Sequence, residues 1–238
     1  MMENVYDSEY PLWIRSLAVL LAPFRAKGYT VKKTHTEKFD YVPTGKYEDM
    51  RGSIVDGDLI FCGGEYAFSK VIRYLSGRSK VSHVGIVYWW NGRLMILESV
   101  EPDGVRIVPV SQYINNYENS GMPYNGRIFL ARDRRLHVMP KRAGATVGDV
   151  RQRMVQIVLK TAADLLNRES SIKDVLQFFV QGCTGRLKHV DNEQFLCSEF
   201  VAKCYSWVGL DYEGDGRGFV APEHIAMSEN VEVLIELV

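Results

Sequence analysis

The sequence predicts an α+β fold, with an antiparallel sheet of about five strands packed against a cysteine-bearing helix and extra helices around them. Three observations predict it. An Asn91-Gly92 dipeptide joins two apolar, alternating runs, the strongest short-range signal of a β-hairpin. Further strand-like runs at Leu59–Cys62, Gly104–Val110 and Gly126–Ala131 are separated by short, turn-rich connections, which antiparallel pairing allows. The stretches Thr146–Leu166 and Phe195–Gly209 instead space their apolar residues at helical intervals.

A chain of 238 residues suits one domain, or one domain with embellishments. Residues 1–50 read as an N-terminal helix and wrapping segment. Residues 51–238 read as the main domain, with a helical insertion at about 146–182. Lys and Arg total 29 and Asp and Glu total 29, so the net charge is zero, which argues against a nucleic-acid partner held by phosphate neutralisation. Four cysteines in a chain this long are no disulfide framework. Cys197 and Cys204 share one helix about 10 Å apart along its axis, too far to bridge. Reduced thiols and a cytoplasmic location are expected, and the acidic, aromatic Met1–Tyr10 stretch is the wrong n-region for a secretion signal.

Leu12–Phe24 is apolar with Trp13, Leu17, Leu20, Leu21 and Phe24 in helical register, but too short to span a bilayer. It reads as a helix docked on the main domain, and an interfacial membrane helix is the alternative, which leaves peripheral membrane contact open. Gly28 ends it, and Val31–Arg51 is polar. After the Leu59–Cys62 strand, Gly63-Gly64 lacks the Gly-Lys-Ser/Thr ending of a phosphate loop. Glu65–Leu75 then reads as a short amphipathic helix. Cys62 reads as a plain buried thiol. Arg132, Arg134, Arg135, Lys141 and Arg142 form a basic run that reads as a solvated loop, with an anionic substrate or lipid headgroup as the sharper alternative. His137 within it has no assigned role. Ser171–Val180 predicts a second short helix, and Gly182–Gly185 a turn that exposes Cys183. Pro222 suits the first turn of a helix, and Val231–Val238 a last edge strand.

The hairpin places chemistry. With a two-residue turn, Trp90 faces Arg93, Val87 faces Ile96 and Gly85 faces Glu98. His83, Gly85, Val87 and Trp89 then share a face with Leu94, Ile96 and Glu98. Glu98 becomes the diagonal neighbour of His83, about 7–8 Å away at the backbone. Gly85, lacking a side chain, leaves Glu98 room to lean across. A carboxylate facing inward between Ile96 and Val100 must be paired or neutral. An imidazole oriented by a carboxylate is the arrangement of a general base. Its partner would be Cys197, on a stripe with Phe200, Val201, Cys204 and Val208; a cysteine near a helix N-terminus beside a histidine has its thiolate favoured. No Cys or His pair has metal-ligand spacing, so no metal and no cofactor are expected.

The order Gly57–Phe61, Ser82–Val87, Leu97–Ser99, Leu196–Ala202 and Ala221–Ala226 resembles the circularly permuted NlpC/p60 proteins of the papain-like superfamily, with the YiiX-like branch most similar. The resemblance spans about Gly57 to Ala226, with blank stretches between motifs. It implies a permuted papain-like fold and thiol hydrolase or acyltransferase chemistry on amide or ester bonds. It maps Cys197 to the nucleophile, His83 to the base and Glu98 to the third residue. It also places Tyr66 and His224 beside the cleft as substrate-binding candidates, with packing as the plainer role for Tyr66. The backbone N–H of Cys197 would hold the oxyanion. Asp191–Gln194 resembles a capping box that would bury Cys197 one turn inside its helix; the resemblance favours a break before Leu196.

The expected function is thus hydrolysis of a peptide-like or acyl-bearing small molecule through an acyl-thioester. The alternatives are a lecithin:retinol-acyltransferase-like acyltransferase or thioesterase, and a non-catalytic ligand-binding domain. Oligomeric state stays open.

Overall fold

A computed structural model of the protein describes residues 36–66, 69–70, 72–73, 79–101, 103–136, 147–168, 196–212 and 220–238. Among the described residues seven strands form one sheet: β1 (Thr44–Gly45), β2 (Leu59–Gly64), β3 (His83–Trp90), β4 (Arg93–Val100), β5 (Gly104–Pro109), β6 (Gly126–Asp133) and β7 (Val231–Leu237). Their spatial order is β1-β7-β6-β2-β3-β4-β5. Four helices matter to the site: α1 (Val110–Asn115), α2 (Val147–Asp164), α3 (Cys197–Ser206) and α4 (Pro222–Met227).

The hairpin forms as its turn chemistry dictates. Asn91 and Gly92 both have positive φ, 47° and 75°. Trp90 pairs with Arg93 and Val87 with Ile96, and the β3–β4 pairs run as far as Ile86–Leu97. Beyond that point β3 continues along β2, with Gly85 opposite Ile60 and His83 opposite Cys62. Meanwhile Glu98 of β4 pairs with Arg106 of β5.

Both faces of the sheet are covered. On one, Leu59, Phe61, Val84, Ile86, Leu97 and Phe129 pack against Met154, Val158 and Ala162 of α2 and Phe200, Val201, Cys204 and Tyr205 of α3. On the other, Ile60, Cys62, Val87, Ile96, Ile128 and Leu130 pack against Val110 and Tyr113 of α1 and against Tyr47 and Tyr124. Two-sided burial explains why β2 is buried along its whole length. The stripe of α3 is buried through Phe200, Val201 and Cys204. Gly209, at φ 73°, follows its last turn.

The expected sheet of about five antiparallel strands is corrected to a mixed sheet of seven. β1 pairs parallel with β7, while the other neighbours are antiparallel. A two-residue strand has no alternation to read, so β1 left no pattern in the sequence. It also displaces Val231–Leu237 from the edge, for β7 lies between β6 and β1. Segment 36–45 is therefore built into the domain. Phe39 is fully buried, and the Lys38 ammonium donates to the carbonyls of Ala226, Ser228 and Val231 at 2.8–3.2 Å. Helix α1 is a further addition, at six residues too short to show a period.

The expected helices at Leu12–Phe24 and Ser171–Val180, the Cys183 turn, His137, and the Lys141–Arg142 end of the basic run lie outside the described residues. So do residues 67–68, 71 and 74–75 of the expected Glu65–Leu75 helix. Of the described basic residues, Arg132 forms a two-pronged ion pair with buried Asp58 (2.6 and 2.7 Å) and Arg135 pairs with Asp133 (2.7 Å), so neither is simply solvated. Among the described residues no helix is long and apolar enough to cross a membrane.

β2 runs through Gly63-Gly64 because other backbone crowds it there. A Cβ on Gly63 would lie 2.2 Å from the Lys80 carbonyl oxygen. Lys80 opens the segment that delivers His83, so Gly63→Ala is expected to push that segment outward. The expected outcome is a loss of more than about 2 kcal/mol in chemical denaturation. A Gly63→Ala variant as stable as wild type would contradict this packing.

Candidate active site

Helix α3 begins at Cys197. Leu196 precedes it in extended conformation, at φ −71° and ψ 158°, and its N–H donates to the Glu199 carboxylate at 3.3 Å. Cys197 is therefore the first helical residue, so its N–H has no acceptor within the helix. Asp191–Gln194, the capping-box alternative, lies outside the described residues. Cys197 is partly exposed, whereas Cys62 and Cys204 are buried. Burial pushes the Cys204 thiol up to about 12. Burial raises Cys62 well above its ordinary value too, helped by the negative charge of Glu98.

His83 is the first residue of β3, at the end of the sheet, with its side chain 16% exposed. Its Nε2 lies 2.7 Å from Glu98 Oε2, and its ring also interacts with Cys197. The three residues predicted from the sequence are thus brought together. Burial alone would lower the imidazole pKa. Its interactions with Cys197 and Glu98 outweigh it and raise the pKa to about 10.

Glu98 is fully buried yet fully partnered. Its Oε2 accepts from His83 and from the Tyr113 hydroxyl at 2.5 Å, and its Oε1 accepts from Arg106 Nε at 3.0 Å. Burial would raise this carboxyl, but His83, Arg106 and Tyr113 together hold it below its ordinary value. An ionised carboxylate only accepts, so its neighbour His83 Nε2 must carry a proton. That leaves the other ring nitrogen, Nδ1, as the one that can accept a proton.

The space at Gly85 is used differently from the expectation. A Cβ there would meet Ile96 Cδ1 and Cγ1 at 2.6 Å, so Ile96 rather than Glu98 fills the gap. Glu98 reaches His83 because β3 and β4 stop pairing at Ile86–Leu97 and the two side chains meet beyond that point.

Tyr66 is half-buried in a cluster with Tyr113, Tyr117 and Tyr124, stacked 6.1 Å from Tyr117, and its hydroxyl accepts the Asn125 N–H at 3.0 Å. His224 Nδ1 accepts the Ala221 N–H at 3.0 Å and so caps the first turn of α4. The Ser82 hydroxyl donates to the Cys62 carbonyl at 3.3 Å.

No protein-family model matches the chain, and no curated protein matches it. Among solved structures it is similar to the crystal structure of metalloprotein yiiX from Escherichia coli O157:H7, DUF1105. The identity is 20% and the TM-score 0.44, over 77% of this chain and 88% of that one. Among the described residues no cluster of three or more His, Cys, Asp or Glu side chains is arranged to hold a metal ion.

Sequence reasoning missed Arg106, Tyr113 and Glu118. Arg106 had a local signal: it is the cross-strand partner of Glu98, found by counting outward from the Glu101–Gly104 turn. Tyr113, on the short α1, had none. Arg106 also bonds Asp103 at 2.7 Å and Glu118 at 2.5 Å, so its charge is shared among three carboxylates.

Glu223, which follows Pro222 in the helix start, carried no functional assignment. Its carboxyl is buried in the first turn of α4 with no hydrogen-bond partner among the described residues. The nearby Ser79 hydroxyl gives its proton to the Val81 carbonyl at 2.7 Å. Burial raises the Glu223 pKa to about 7, against smaller lowering effects from Ser79 and Lys80. An acid raised on folding lowers stability as pH climbs from its unfolded value through its folded one, here from about 4.5 to about 7. Glu223→Gln should remove that loss. The variant is expected to gain on the order of 3 kcal/mol relative to wild type between pH 5 and pH 8 in chemical denaturation. An unchanged difference across that range would show that Glu223 does not titrate there.

Proposed function

We propose that the chain is a thiol hydrolase of permuted papain-like architecture, cleaving an amide or ester bond of a peptide-like or acyl-bearing small molecule. The observation that carries this reading is the imidazole of His83. Its Nε2 is tied to buried Glu98, and its ring also interacts with Cys197, the first residue of a helix. The motif order that resembles the permuted NlpC/p60 proteins supports it.

In this mechanism His83 Nδ1 takes the thiol proton and the Cys197 sulfur attacks the substrate carbonyl carbon. The oxyanion is stabilised by the Cys197 backbone N–H, which is free of any intrahelical bond. As the C–N or C–O bond breaks, His83 returns the proton to the leaving amine or alcohol. Water, deprotonated by the same imidazole, then hydrolyses the thioester and regenerates the thiol. Glu98 keeps the ring in the tautomer that leaves Nδ1 available.

The test is iodoacetamide alkylation of the native protein at pH 7, read at each cysteine by mass spectrometry, with p-nitrophenyl acetate as a generic acyl donor. Cys197 is expected to alkylate faster than Cys62 and Cys204, and to slow roughly tenfold or more in His83→Ala. An acetyl adduct should accumulate on Cys197 and be absent in Cys197→Ala. Equal alkylation rates with and without His83 would end the reading.

A further inference from the structure

We infer that Arg106 and Tyr113 are positioning residues that fix the tautomer of His83 by holding Glu98 as an oriented carboxylate. The inference rests on the thiol-hydrolase reading of the same site.

Glu98 has no access to solvent, and a lone carboxyl in such a place would take up a proton. That proton would become a donor aimed at His83. Nε2 would then have to accept, and the ring proton would move to Nδ1. An imidazole in that state cannot take the thiol proton. Keeping Glu98 ionised is therefore a condition for a base at His83.

Two groups meet that condition from opposite sides. Arg106 supplies a positive charge to Oε1 through Nε at 3.0 Å, and its remaining nitrogens are anchored by Asp103 and Glu118. Its place is set by strand register, directly across from Glu98. Tyr113 donates to Oε2, the oxygen that also receives His83, and so fixes the direction in which the carboxylate accepts the imidazole. Burial first, and then the Glu98 charge, raise the Tyr113 hydroxyl well above its ordinary value, so it remains a donor. Tyr117 and Tyr124 pack against its ring at centroid distances of 4.9 and 5.4 Å, so the hydroxyl is held from behind.

The experiment compares Arg106→Met, Arg106→Lys and Tyr113→Phe with wild type and His83→Ala. Imidazole 15N NMR reports the His83 tautomer, and iodoacetamide reports the Cys197 thiol. In wild type below its titration the imidazole carries protons on both nitrogens, and above it Nε2 keeps the proton. Arg106→Met is expected to move the neutral-form proton toward Nδ1 and slow Cys197 alkylation tenfold or more, with loss of p-nitrophenyl acetate turnover in kcat rather than KM. Arg106→Lys keeps the charge and should recover most of the wild-type NMR pattern. Tyr113→Phe should slow alkylation several-fold and leave a mixture of tautomers.

A merely structural role would change the melting temperature without moving the tautomer. If Arg106→Met does not fold, the tautomer in Tyr113→Phe decides alone. Wild-type NMR signals and alkylation within twofold of wild type in the folded variants would overturn the inference. Rapid alkylation persisting in His83→Ala would instead sink the underlying thiol-hydrolase reading.

Discussion

The site depends on one buried carboxylate. Glu98 is cut off from water, and three donors replace its hydration: an imidazole, a guanidinium and a phenol. Ionised and triply bonded, it dictates which nitrogen of His83 carries a proton and which can accept one. Buried ion pairs contribute little net stability, since desolvation offsets much of the attraction, but breaking one strands a charge. The Glu98–Arg106 pair is better understood as an orienting device than as a source of folding free energy.

The architecture supplies the rest of the geometry. The helix-covered core uses Val84, Ile86 and Leu97, whereas register assigns His83 and Glu98 to the opposite set of side chains. The meeting with Cys197 occurs at the end of the sheet, where His83 is the first residue of its strand and Cys197 the first of its helix. Close backbone approach at Gly63 holds the segment entering β3 in place. Cys62 lies directly across from His83, but its burial keeps that thiol protonated.

Much of this was legible in the chain. The Asn91-Gly92 turn set the register of Trp90 with Arg93 and Val87 with Ile96, and counting from it put His83 near Glu98. An inward-facing glutamate required partners before any partner was known. The reason offered for Gly85 did not hold, because which neighbour fills a missing side chain depends on packing from both sides of the pleat. Arg106 could have been reached by counting across the next turn. Tyr113 could not, because it arrives from a six-residue helix whose position against β4 no local pattern encodes.

What the sequence by itself determined was local: strand and helix periods, a turn demanding positive φ at two adjacent residues, the first turn opened by Pro222, and the pairing of residues a few positions apart. These follow from steric and hydrophobic periodicity within a single element and its nearest turn. Only the tertiary structure decided the parallel seam between β1 and β7, the enclosure of β7, and the meeting of His83 with Cys197, more than a hundred residues apart in the chain. It also decided that Cys197 opens its helix and that Glu98 has three donors. Each of these depends on which distant surfaces are buried together, and burial is a property of the assembled layers.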